Sequence, residues 1–331
     1  MGIQRKVARM SALSPSLLDP AARPRTRRML RLLSWLVSAL LLALAAWLLH
    51  RYLGAMRWRD VVAALVQLPR THVAGAVAAT AVSFTMLATF DVLAARRVAP
   101  ERASAGLSAF AGFAAHALSN TLGFHAVTGG AVRYRVYATA GLGAGDIARV
   151  VGLASLGVGL GYAVLGAAGL LMEPAIVAGW GRIAGIIIVL LLAGLVLWLA
   201  GPRSLRVGRW AIALPGSGSA LLQMLVGGVE MSAAIGAMYL VLPPAIAPPL
   251  AGFVPIYLTA LIAGIVSHAP GGLGVFEAIL LGSFPAQARA DVLAGLLCYR
   301  LVYNLLPFAA ASLSLAVFEA RQRKGRSTPV S

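Results

Sequence analysis

The sequence predicts an all-α polytopic membrane protein with about eight hydrophobic segments. Three observations carry that prediction: 60% of the 331 residues are apolar, only 11% are charged, and the apolar residues gather in stretches long enough to cross a bilayer. A soluble domain carries about 25% charged residues to solvate its surface, so this composition excludes a soluble enzyme, a disordered chain and a disulfide scaffold. The one cysteine, Cys298, lies in an apolar run with no second thiol in the chain to bridge to, so it carries no redox information.

In chain order, residues 1–31 form a basic tail rich in Ser and Pro, a composition that leaves it disordered. Arg27-Arg28 ahead of an apolar run has the look of a twin-arginine export signal. No small-residue cleavage site closes that run before His50, and more spans follow, so Leu32–Leu49 is expected to stay as a signal anchor. A spanning helix needs about 20 mostly apolar residues. Further candidates are Val73–Ala95, Ala103–Phe124, Ile147–Met172, Ile183–Ala200, Ala220–Leu242, Leu250–Ser267 and Val292–Phe318, with Leu273–Phe284 a shorter apolar stretch. The membrane domain therefore covers 32–318, and a short basic tail, 319–331, follows it. Within Ile147–Met172, Gly157-Val158-Gly159-Leu160-Gly161 predicts close helix packing through Gly157 and Gly161. With no strand before it, the string is not a nucleotide loop.

The net charge is +18, from 28 Lys and Arg against 10 Asp and Glu. The arginines lie between apolar runs, and no aromatic and basic residues interleave on a strand or groove, so nucleic acid is excluded as a partner. Basic residues flanking spans set orientation instead. Eight simple crossings with the N-terminus inside would put 16 Lys and Arg on the cytoplasmic side and 11 outside. If Ala103–Val127 (broken near Ser119-Asn120) and Leu250–Phe284 (broken at Pro270-Gly271-Gly272) each enter and leave on one side, the division becomes 21 to 6. The positive-inside rule favours the second arrangement. It amounts to six full spans plus two re-entrant helical hairpins in an inverted repeat, with both termini cytoplasmic and the broken helices meeting near the midplane.

Two motifs carry the chemistry. The first is HALSNTLGFHAVTGGAVRYRVY, His116–Tyr137. Thr128-Gly129-Gly130 is read as a break in the backbone, which survives in lipid only against protein or a wet cavity. Arg133 and Arg135 follow immediately. Backbone N–H groups at a new helix start, with arginine forks behind them, suit a phosphodiester. The same string also fits a loop turn and an interfacial helix whose arginines snorkel to headgroups. Asp91, near the end of its span, is expected to be interfacial.

The second motif is SHAPGGLGVFEAILL, Ser267–Leu281. Pro270 ends a helix, Gly271 and Gly272 free the backbone, and Glu277 stands in the first turn of the next helix. A carboxylate in an apolar helix costs about 2.5–3.5 kcal/mol on insertion scales, so it seeks a partner or a cavity; capping the helix N-terminus is the other reading. On the last span Arg300, Tyr303, Asn304 and Pro307 share one face by their spacing. The counter-anion of Arg300 is Glu277, Glu230 or a lipid phosphate. Glu230 is a further intramembrane carboxylate with no partner nearby in sequence. His116 and His268, one per hairpin, are candidate proton carriers or simply hydrogen-bonded residues.

At TGGAVRYRVY with the following GLGAGDIARVV, at HAPGGLGVFEAILL and at CYRLVYNLLP, the chain resembles the flippase-like membrane domain of lysylphosphatidylglycerol synthase/flippase proteins. The resemblance covers most of Arg31–Phe318. In bifunctional members, a soluble domain transfers an aminoacyl group from tRNA to phosphatidylglycerol. No segment of these 331 residues reads as that domain, so the resemblance implies the translocation half only: moving a phospholipid, aminoacylated or not, between leaflets of the inner membrane. It implies roles for Gly129, Gly130, Arg133, Gly271, Gly272, Glu277 and Arg300.

The expected function is thus a membrane lipid translocator. Its substrate-binding residues would be Thr128, Gly129, Gly130, Arg133, Arg135, Glu230, Pro270, Gly271, Gly272, Glu277, Arg300 and Asn304. The alternatives are an integral lipid-modifying enzyme or a carrier of isoprenoid-phosphate lipids or a small solute. No HExxH, Cys/His cluster, nucleophile elbow or Walker string occurs in the sequence. No enzyme activity, metal, cofactor or direct use of ATP is expected. Membrane phospholipids are the expected partners, with a second copy of the chain or a separate lipid-modifying enzyme left open.

Overall fold

The structure is a computed structural model that describes residues 58–123, 125–172, 180–201, 204–207, 210–213, 215–267 and 269–327. The expected disordered tail, the anchor Leu32–Leu49 and His268 lie outside the described residues. Those described are almost entirely helical. A short helix, α1 (Trp58–Gln67), leads into α2 (Arg70–Val98), which begins after Pro69 and stops short of Pro100. At 1.5 Å per residue, α2 extends about 43 Å. Two antiparallel segments follow: α3 (Ala105–Leu122), capped by Ser104 accepting from Leu107 N at 3.2 Å, and α4 (His125–Ala138), which folds back along α3. Next come α5 (Ala144–Met172), α6 (Gly181–Trp198), the strand pair β1 (Ser204–Val207) and β2 (Trp210–Ala213), and α7 (Ser217–Leu240). The strands pair antiparallel, Ser204 opposite Ala213 and Val207 opposite Trp210; this small hairpin in the α6–α7 connection was not predicted. The chain then forms α8 (Leu250–Val266), the short α9 (Val275–Gly282) packed along it, α10 (Arg289–Tyr299), a π-helical turn (Arg300–Leu305) and α11 (Leu306–Ser327).

Five described helical stretches are long and apolar enough to cross a membrane: α2, α5, α6, α7 and the continuous stretch Ala286–Gln322. The protein is therefore a polytopic helical membrane protein, as its composition predicts. α2 and α7 pack on each other at the centre, with Phe84, Phe90, Met231 and Met238 buried between the elements. On α6, by contrast, Leu190 and Leu191 are mostly exposed and little of the helix is covered by protein. A helix apolar on all sides and left uncovered requires lipid around it. The predicted small-residue contact is present: a Cβ added to Gly161 of α5 would lie 2.7 Å from the Cα of Gly227 on α7, so the two backbones touch.

Three expectations are corrected. The first hairpin breaks at Gly123 (φ +78°), whose N–H bonds to Ser119 O, while Ser119 and Asn120 remain helical. Thr128-Gly129-Gly130 does not break the backbone either, since it lies inside α4. Gly129 serves close approach instead, because a Cβ there would come within 3.1 Å of Arg133 Nη1 and 3.5 Å of Ser119 Oγ on α3. The last span is also not a plain α-helix. Pro307 cannot donate an N–H, and its ring crowds the carbonyl of Tyr303, four residues back. The ladder opens there, and Leu306 N–H reaches back to Leu301 O.

Candidate functional site

The two helix breaks meet. In the second hairpin Ser267 Oγ donates to Gly264 O at 2.7 Å and accepts from Ala269 N at 3.2 Å, which ends α8. Pro270–Gly272 makes a tight turn with Gly271 at φ +59°, a backbone region that favours glycine. α9 then starts with Glu277 in its first turn, and Glu277 Oε2 accepts from Gly274 N at 2.7 Å. A Cβ on Gly271 would lie 3.0 Å from Thr121 O and 3.1 Å from Asn120 O, at the end of α3. The tips of the two hairpins are thus in backbone contact.

The π turn joins both tips. Asn304 Nδ2 donates to Asn120 O at 3.2 Å, and Thr121 Oγ1 donates to Asn304 O at 3.2 Å. Arg300 Nε donates to Glu277 Oε1 at 2.7 Å, its Nη2 lies 2.6 Å from the same oxygen, and its Nη1 donates to Gly271 O at 2.8 Å. The guanidinium also stands over the Phe276 ring, 5.3 Å from its centroid, a cation–π arrangement. Between the tips opens a cavity of about 450 Å³, walled by Asn120, Thr121, Gly271, Glu277, Arg300 and Asn304 on its polar side and by Leu273, Leu293, Leu296 and Leu297 on its apolar side. The side chains of Glu277 and Arg300 keep 12% and 17% of their surface exposed, so the pair borders this space.

The remaining predicted residues lie elsewhere. Arg133 does not face the cavity: its Nε and Nη2 donate to Asp91 Oδ1 and Oδ2 at 2.8 and 2.7 Å, and Nη2 is 3.0 Å from His116 Nε2. Tyr137 OH donates to Asp91 Oδ1 at 3.3 Å. Asp91, expected to be interfacial, is fully buried against protein. α2 continues to Val98, so Asp91 lies about two turns inside the helix. Thr128 Oγ1 donates to Gly123 O at 3.0 Å and steadies the first break. Gly130 and Arg135 line a separate groove of about 800 Å³ between α4 and α11, where Arg135 pairs with Glu319.

Glu230, mid-way along α7, is 4% exposed. Its Oε1 accepts from Ser83 Oγ at 2.9 Å and from Tyr303 OH at 3.4 Å. Thus Glu277, rather than Glu230, is the carboxylate that meets Arg300. Pro270 contributes backbone to the second tip. Sequence reasoning missed Asn120 and Thr121 as cavity residues and Asp91 as the partner of Arg133. For Asp91 a signal existed: a lone acid within an apolar span needs a cation, and Arg133 is the nearest candidate in the next hairpin. Among the described residues, no group of three or more His, Cys, Asp or Glu could hold a metal ion.

No protein-family model matches the chain. It is 30% identical over 285 residues to the uncharacterized protein slr0712 of Synechocystis, covering 83% of this chain and 87% of that protein. It is 26% identical over 318 residues to the inner membrane protein YbhN of Escherichia coli, covering 92% and 96%. A shorter match, 33% identical over 105 residues, joins 31% of this chain to 12% of the phosphatidylglycerol lysyltransferase of Staphylococcus xylosus.

Proposed function

Since this chain belongs to the family that includes slr0712 of Synechocystis and, at lower identity, YbhN of Escherichia coli, we propose that it moves a phospholipid between the leaflets of a bacterial inner membrane, with both termini on the cytoplasmic side. The observation that carries this reading is the Glu277–Arg300 pair bordering a cavity between two helix breaks. The barrier to leaflet exchange is taking a charged headgroup out of water. Charges already placed in a low-dielectric cavity lower that barrier without reorganising. A headgroup bearing both a phosphate and an ammonium would exchange partners with the pair: phosphate to the Arg300 fork, ammonium to Glu277. Neither protein charge is then left unpaired, which would otherwise cost several kcal/mol. Leu273, Leu293 and Leu296 face the same space and would accompany the start of the acyl chains.

Re-entrant hairpins fit the charge distribution along the chain, and the local match to a phosphatidylglycerol lysyltransferase supports a phospholipid as the cargo. The test is a leaflet-sidedness assay on purified protein in vesicles, using a panel of labelled phospholipids. The expected result is transfer of at least one zwitterionic or aminoacylated lipid, abolished by Arg300→Ala or Glu277→Ala in protein that still folds. Equal transfer by those variants would remove the pair from the mechanism. A new lipid species detected by mass spectrometry would replace transport with lipid modification.

A further inference from the structure

Beside the cavity, and not lining it, lies a second polar cluster that lipid binding leaves unused. Glu230 is buried midway along α7, and among the described residues no Lys, Arg or His pairs with it. An isolated carboxylate in such surroundings costs far more than a hydroxyl partner returns. The groups hydrogen-bonded to it are Ser83 from α2 and Tyr303 in the π turn, and Tyr162 from α5, Tyr257 from α8 and Tyr299 at the end of α10 lie within electrostatic reach. All are neutral hydroxyls. Ser83 Oγ and Tyr303 OH are also 2.8 Å apart, so Glu230, Ser83 and Tyr303 form a closed triangle of oxygens. Tyr303 stacks on Tyr299 at 5.0 Å, and Tyr299 OH is 2.7 Å from Tyr257 OH.

Resting on the translocator reading, we propose that Glu230 is the proton-binding site that couples lipid transfer to the transmembrane proton gradient. A hydroxyl has one proton to give. While Glu230 is a carboxylate, Ser83 donates to it, and the one proton of Tyr303 points to Glu230 or to Ser83 Oγ. Once Glu230 has taken a proton from water on the acidic side, forming a neutral carboxylic acid, it becomes a donor itself. Ser83 can then turn its proton to the oxygen of Tyr303, and Tyr303 must find another acceptor. Release of the proton to water on the opposite side restores the first pattern. Tyr303 lies on the same π turn as Arg300 and Asn304, which hold the two hairpin tips. The protonation state of Glu230 is therefore felt by the turn that shapes the headgroup cavity. A sodium ion fits the cluster poorly: the triangle supplies three oxygens already bonded to one another, where a hard cation takes about six or more.

The experiment uses the full chain in proteoliposomes with a labelled lipid that it transfers. A pH difference of about one unit, a tenfold ratio of proton activity, is expected to speed transfer in its direction by up to about tenfold. Glu230→Gln should still equilibrate the lipid, at a rate indifferent to the gradient. Tyr303→Phe, which keeps the ring and removes the hydroxyl, should lose most of the acceleration, and it covers the case in which Glu230→Gln fails to fold. Acceleration retained in Glu230→Gln, none in the parent protein, or acceleration by sodium alone overturns the proposal. If no lipid moves at all, it is the translocator reading that fails. Infrared spectra of the detergent-solubilised protein then judge the proton site directly. A protonated-carboxyl band that is absent in Glu230→Gln and present in Glu277→Gln supports it. Parent spectra without that band sink it.

Discussion

Arg133 lays two nitrogens on the two carboxylate oxygens of Asp91, at 2.8 and 2.7 Å, and the pair is almost wholly excluded from the surface. Asp91 belongs to α2 and Arg133 to α4, so this fork clamps the first hairpin to the central helix. Among the described residues, two ion pairs packed among the helices thus have different surroundings. The closed one fixes a hairpin, and the one bordering the cavity, Glu277–Arg300, stays within reach of a ligand.

Removing one member of the closed pair should be costly. Asp91→Ala leaves a buried guanidinium with no counter-anion, only His116 beside it, and is expected to destabilise the protein by about 3–5 kcal/mol. The double variant Asp91→Ala/Arg133→Met should recover a good part of that loss, because no charge is left behind. Thermal unfolding in detergent micelles measures both. A double variant no more stable than Asp91→Ala would show that the pair acts through something other than charge compensation.

Gly271 is expected to tolerate no side chain. Its φ of +59° strains any L-residue, and an added Cβ would press on the carbonyl oxygens of Asn120 and Thr121 at 3.1 and 3.0 Å. Gly271→Ala should cost roughly 1–3 kcal/mol and push the hairpin tips apart. Gly236→Ala is the control: that helical glycine faces open space, and alanine there should be neutral or stabilise by up to about 1 kcal/mol. Equal unfolding temperatures for the two variants would count against contact between the tips.

How much of this was readable from sequence differs by residue. Composition and apolar run length suffice for the helices, because lipid leaves the backbone no other choice. Glu277 and Arg300 stood out because charges inside apolar runs are few, and Gly271-Gly272 because proline precedes them. The partner of Asp91 was harder to read: Arg133 lies 42 residues further along the chain, and no spacing links the two. The π turn was hidden because a 3.6-residue spacing was assumed through Pro307. Asn120 and Thr121 carry no periodic signal at all. Their role comes from Gly271 and Asn304, which approach them from far along the chain.

Arg300→Lys separates charge from shape. Lysine keeps the cation but is a single point donor. Its three N–H groups radiate from one nitrogen, so it cannot place separate nitrogens on Glu277 Oε1 and Gly271 O as the guanidinium does. Lipid transfer is expected to fall by roughly tenfold, a loss of about 1.4 kcal/mol, short of the abolition expected for Arg300→Ala. Full transfer by the lysine variant would mean that positive charge alone suffices at this position.

The α5–α7 contact tests whether the frame must stay closed. A Cβ on Gly227 would lie 2.5 Å from Gly161 Cα, and backbone cannot move aside as a flexible side chain can. Gly227→Leu is expected to destabilise by about 3 kcal/mol or more, visible as loss of folded protein on detergent extraction. A variant extracted in parental yield with unchanged unfolding would contradict this packing.

Pro307→Ala addresses the π turn itself. Alanine restores an N–H and relieves the crowding at the Tyr303 carbonyl, so the turn can close to ordinary α geometry. Each residue of an α-helix advances about 100° around the axis, so taking up the extra residue would swing Arg300 away from Glu277 and Gly271 or Asn304 away from Asn120. The helix itself gains, since proline in an interior costs about 3 kcal/mol relative to alanine. The expected signature is therefore opposed: unfolding stability equal to or above the parent, with lipid transfer slowed several-fold. Such a split would identify the π turn as geometry maintained for function at the expense of stability. Parental transfer in a stabilised variant would instead make the turn a passive consequence of the proline.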